Sequence, residues 1–250
     1  MLPTDLAREL NQFASCTILV GNIGVGLVVN IWDPFNPAAY FLHAILGVSA
    51  ILGALVALAL VKGSRRHILA GRIFSVAAAI AAVTAIVFSF STFAPMAIAS
   101  AALMLSVVGS AILAHHSRSS WVAGGEWVAT TLMAVVLLWL LYGVAISLPH
   151  GGLLWLLPLI LVFISAAFLV NDIRFIRLDD AGREQNRLPR HVSRMAFAFA
   201  IAVHEPVVVF SDDLNIHPGL AFYGPLIIWP AIVYFFNGRI RRKTLEVAND

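Results

Sequence analysis

One cysteine in 250 residues excludes an internal disulfide, and Cys16 lies in an apolar stretch where it reads as a small buried hydrophobe. Charge is equally scarce. Asp, Glu, Lys and Arg make up 12% of the chain, about half of the roughly 25% of an ordinary soluble domain. That excludes a soluble globular protein. The opening MLPTDLAREL lacks the basic region of a signal peptide, so the N-terminus is expected to be retained. QFASC looks like a lipoprotein cleavage box, but its apolar run follows the cysteine instead of preceding it. No HExxH or HxxxH spacing ties Asp33, His43, His150, Asp212, Asp213 and His217 into a zinc site, so no metal is expected. GNIGVG matches neither a phosphate loop nor a dinucleotide fingerprint, and its glycines suit close helix packing.

What is abundant is apolar length. Hydrophobic residues reach 60% and mean hydropathy is +0.91. Runs of about 20 apolar residues, enough to cross a ~30 Å hydrocarbon core, recur along nearly the whole chain. The spacing predicts helices at 13–32, 38–61, 67–91, 94–116, 126–148, 152–170, 193–211 and 220–237, separated by DPFNP, TFAP, LPHGG and SDDLNIHPG. The expected fold is all-α: a polytopic transmembrane bundle of about eight spans, forming one domain over residues 1–250. It has seven spans if 13–32, weakened by its glycines and Asn30, stays in the interface.

Alternating spans put all 16 Lys and Arg residues on one side, from Arg8 through the Lys62, Arg65 and Arg66 turn to Lys243. The opposite loops carry Asp33, Asp212 and Asp213 and no cation. By the positive-inside bias, both termini are expected in the cytoplasm and the chain in the cytoplasmic (inner) membrane. The net charge of +3 then reports topology and attraction to the lipid bilayer, not nucleic-acid binding. Residues 171–190 read as the one long loop, a solvated connection of mixed charge that could dock a partner.

Eight histidines are more than solubility requires. His67, His115, His116 and His191 fall at the cytoplasmic ends of their helices; His43, His150 and His217 fall at the other side, with His204 somewhat beyond the midplane. Histidines at one depth on neighbouring helices are what an axially ligated haem b needs. The candidate ligands are His67 with His191 or His116, or else His43 with His204. Interfacial anchoring accounts for the same positions. His204-Glu205-Pro206 places a titratable pair within a span, where by default it marks a proton or charge site. Alternatively, Glu205 is a neutral filler of a proline kink. Glu126 begins a span and suits a helix N-terminus electrostatically.

FLHAILG (41–47), KGSRRHILAGRIF (62–74), RHVSRM (190–195) and YGPLIIWPAIVYFFNGRIRR (223–242) resemble an uncharacterised bacterial membrane-protein group, the proteins labelled domain of unknown function 2306. The resemblance spans most of the chain from about residue 38 and implies no activity. It picks out His43, Gly47, Lys62, Gly63, His67, Gly71, His191, Arg194 and Met195 as motif positions. Gly71, one turn after His67, then suggests a close helix contact beside an imidazole. The chain departs from the group's pattern at His204-Glu205 and lacks its H-R-x-W-M run.

Three functions fit these residues: a histidine-based intramembrane site for haem b or quinone-linked electron transfer, a non-catalytic subunit or assembly factor of a membrane complex, and a proton-coupled transporter using His204 and Glu205.

Overall fold

The computed structural model describes residues 37–92, 95–116, 119–147, 156–211 and 213–249. The expected span 13–32, Cys16, Asp33, Arg118, His150 and Asp212 lie outside the described residues. Those described form an all-helical chain: α1 Pro37–Ala59, α2 Arg65–Thr92, α3 Pro95–Leu113, α4 Ser120–Ser147, α5 Leu156–Arg177, α6 Asp180–Val209 and α7 Pro218–Asn249.

The helix ends follow local chemistry. Pro37, Pro95 and Pro218 open their helices, where a missing N–H costs nothing. The Ser64 hydroxyl accepts the His67 backbone N–H at 3.2 Å and caps α2. Gly63, at φ +80°, makes the preceding turn. The Asp179 carboxylate accepts from the Gly182 N–H at 2.9 Å and caps α6.

Six segments are long and apolar enough to cross a membrane: Tyr40–Ala59, Arg65–Ser89, Pro95–Leu113, Ser120–Ile146, Pro158–Arg177 and Asp180–Val209. The apolar part of α7, Tyr223–Phe236, is shorter. Each helix packs on its neighbour in sequence from α1 to α5, as α7 does on α6, while α6 also meets α3 and α1. Residues Ala196 to Ile201 of α6 are buried without a break, so neighbours cover every face of α6 at that level. Trp229 of α7 donates its indole N–H to the Ser193 carbonyl at 3.1 Å. Its ring stands edge-on to Phe168 and Phe197. The outward residues are apolar too: Phe41, Ile45, Val48 and Leu52 of α1, and Val128, Val135 and Leu138 of α4. Water would not tolerate that surface; hydrocarbon would.

Contacts between helices fix their directions. Near one end, His43 of α1 meets Thr84 of α2, and Trp139 of α4 donates to the Pro95 carbonyl of α3. Near the other, His67 meets the Ala57 carbonyl, Glu126 meets Arg183, and His191 meets the Ala111 carbonyl. The helices therefore alternate, and Lys62, Arg65, Arg66, Arg174, Arg177, Arg183 and Arg187 gather at the second end, the cationic pole.

Two expectations need correction. Residues 171–190 are not a loop: α5 continues to Arg177 and α6 begins at Asp180, leaving Leu178 and Asp179 between them. Within this stretch, Arg183 and Arg190 turn inward onto Glu126 and Asp172. Nor is Gly71 a close contact, since a Cβ there would meet nothing within 4 Å. The tight approach is at Gly53, whose added Cβ would stand 2.9 Å from the Phe74 nitrogen and 3.2 Å from the Ala70 oxygen.

Candidate functional site

The cationic pole holds two groups of side chains. The first is imidazole. His67, near the start of α2, places Nδ1 2.9 Å from the Ala57 carbonyl at the end of α1, which also accepts from Lys62 Nζ at 2.8 Å. His191 of α6 places Nδ1 3.2 Å from the Ala111 carbonyl of α3. A carbonyl can only accept, so both rings carry a proton on Nδ1, and in the neutral ring Nε2 is then the lone-pair nitrogen. His115 stands edge-on to His191, ring centres 4.4 Å apart. Its pKa is lowered from 6.5 by partial burial first, then by the positive charges of Arg187 and His116, with Glu184 opposing. His116 turns away. It is exposed, its Nδ1 lies 3.0 Å from the Ile112 carbonyl of its own helix end, and its ring packs on Trp121.

The second group is ionic, and most of it was not anticipated from the sequence. Glu126, at the first turns of α4, accepts from Arg183 Nη2 at 2.6 Å and Nη1 at 3.1 Å. Asp172 of α5 is fully buried; its Oδ1 takes Arg194 Nη2 at 2.5 Å and Arg190 Nη2 at 3.0 Å. Arg194 Nη2 also reaches the Phe168 carbonyl at 2.9 Å. Aromatic faces back the cations: Arg194 lies 3.8 Å from the Phe168 ring centre, and Phe175 serves Arg190 at 4.1 Å and Arg183 at 4.5 Å. Glu126 is therefore more than a charge at a helix N-terminus. One signal was present: Arg183, Arg187, Arg190 and Arg194 recur at spacings of four, three and four, a single helical face. The resemblance had also marked Arg194 and His191.

At the opposite pole, the Thr84 hydroxyl donates to the Ala81 carbonyl at 2.8 Å, so toward His43 Nδ1, also at 2.8 Å, it can only accept. His43 is thus a third Nδ1–H imidazole, turned onto α2 with Phe88 at its edge. His204 is partly buried, whereas Glu205 is exposed on the surface of α6 near its end at Val209. Adjacent positions on a helix point about 100° apart, so the two side chains leave α6 in different directions.

His67 and His191 each offer the donor type that axial haem ligation uses, an imidazole nitrogen. Two imidazoles on opposite faces of one iron hold ring centres roughly 6 Å apart, two metal–nitrogen bonds of about 2.0 Å plus two ring radii. His115 and His191, at 4.4 Å and edge-on, are too close to be such a pair. Among the described residues no group of three or more His, Cys, Asp and Glu is placed to hold a metal ion. The chain matches no protein-family model, no curated protein and no solved structure.

Proposed function

We propose that this chain is a cytoplasmic-membrane protein with a histidine-based redox site at its cationic pole, which faces the cytoplasm, and that haem b is its occupant. The carrying observation is the shared tautomer of His67 and His191, each with Nδ1–H tied to a carbonyl on another helix. That second bond orients an imidazole and raises the basicity of the nitrogen left as ligand. His67 and His191 would hold the haem, which supplies one-electron chemistry linked to a quinone pool in the same membrane. His115, against His191, and the buried arginines would set the local field. Membership of the group named by its unknown-function domain belongs to the same proposal.

The test is an absorption spectrum of protein purified from haem-replete cells. A Soret band that shifts on reduction, and is lost in His67→Ala and His191→Ala but kept in His116→Ala, is expected. A colourless, metal-free protein overturns the reading. One observation favours a second: His67 shares the Ala57 carbonyl with Lys62, as a helix-capping residue would. A non-catalytic subunit of a larger membrane complex needs no more of that histidine, and would purify colourless with its partners bound.

A further inference from the structure

Burying three guanidinium groups against two carboxylates leaves one positive charge without a counter-ion. Arg183 and Glu126 satisfy one another. Asp172 must serve both Arg190 and Arg194, and does so through a single oxygen. Asp172 Oδ2, Arg190 Nε and Nη1, and Arg194 Nη1 are buried with no hydrogen-bond partner. These are not marginal side chains. Asp172 is 0%, Arg194 2% and Arg190 8% exposed. Unpaired donors at such depth are costly unless something accepts from them.

Aromatic walls back both of these guanidinium groups. A ring takes the face of a guanidinium and leaves its N–H groups to point outward in plane. Phe175 and Phe168 lie against Arg190 and Arg194, with ring centres 4.1 and 3.8 Å from the guanidinium carbons. Arg190 Nε and Nη1 lie on different edges of one guanidinium, so a single group takes one of them together with Arg194 Nη1 and gives one bond to Asp172 Oδ2: a ligand that accepts two hydrogen bonds and donates one. A carboxylate cannot donate. A phosphate group with a hydroxyl on or beside it does both.

We propose that Arg190, Arg194 and Asp172, closed on one side by the Glu126–Arg183 pair, bind one hydroxyl-bearing phosphate group at the cationic pole. Inorganic phosphate carries its own P–OH at neutral pH. A phosphatidylglycerol headgroup carries glycerol hydroxyls beside its phosphodiester. The site uses none of the histidine nitrogens invoked for haem, so either reading can fail alone.

The test uses full-length protein in uncharged detergent at pH 7. One arm measures the thermal unfolding midpoint of delipidated protein against inorganic phosphate, with chloride at equal ionic strength as the control. The other measures phosphatidylglycerol retained in native mass spectra before delipidation. A saturable rise in midpoint with phosphate is expected in the first arm. One retained phosphatidylglycerol per chain identifies the lipid as the source; none, with the phosphate rise intact, identifies free phosphate. Arg190→Gln, which leaves the Asp172–Arg194 pair in place, should lose the rise and the retained lipid. Arg66→Gln, an exposed cation at the same pole, should keep both. A wild-type protein with neither a saturable phosphate effect nor retained phosphatidylglycerol overturns the proposal, and water then fills the site. Equal losses in Arg66→Gln and Arg190→Gln also overturn it, because they mark diffuse surface attraction.

Discussion

Glu126 receives both terminal nitrogens of Arg183, at 2.6 and 3.1 Å, across 57 residues of chain. Both side chains are nearly fully buried. Removing one partner strands the other's charge, which typically costs about 3–5 kcal/mol. Glu126→Gln and Arg183→Gln should each lower stability by that order in detergent unfolding. The double variant should recover a large part of the loss, because neither charge is then left alone. Additive losses would mean the pair is not coupled.

Gly53 and Gly47 make an internal comparison. A Cβ at Gly53 would press on backbone atoms of α2, whereas one at Gly47 meets nothing within 4 Å. Gly53→Ala should push α1 from α2 and destabilise by about 1–3 kcal/mol. Gly47→Ala and Gly71→Ala should be neutral, or stabilising by up to about 1 kcal/mol through lost backbone freedom. Thermal midpoints of the three variants check this.

The depressed pKa of His115 sets a pH dependence. The folded protein binds that proton less tightly than the unfolded chain, whose imidazole titrates near 6.5. The contribution to stability is full above that value and is lost as the pH falls through 6.5 toward the lowered folded pKa. A wild-type midpoint that drops below pH 6.5, with part of the drop absent in His115→Gln, is the expected outcome. Partial exposure keeps the effect small.

Orientation can be read with single cysteines in a Cys16→Ser background. Asp213→Cys, in the turn between α6 and α7, should react with an impermeant maleimide in intact cells. Lys62→Cys and Gln185→Cys, at the cationic pole, should react only after the membrane is opened. The reverse pattern would place that pole outside.

Much of the helical plan was legible because hydrocarbon imposes a length and proline-rich breaks punctuate it. DPFNP precedes α1, and SDDLNIHPG separates α6 from α7. The gathering of cations at one pole follows from alternation alone. The ionic centre was not legible in the same way. Asp172 and Arg194 are 22 residues apart, on helices whose facing surfaces only packing determines. The first turns of α6 bury arginine, so a search for an apolar buried face passes over them. The histidine positions were readable, but their tautomers depend on carbonyls of Ala57 and Ala111 that no sequence pattern marks.

The pairing of α6 with acids that precede it bears on how the chain is made. At about 5–20 residues per second, the 57 residues from Glu126 to Arg183 take about 3–11 seconds to synthesise. During that interval α4 sits in or beside the insertion channel with its carboxylate unanswered, and Asp172 later waits more briefly for Arg190. The arginine-bearing start of α6 cannot partition into lipid alone, but it can dock on carboxylates already in place. The earlier helices thus act as a receptor for a later one.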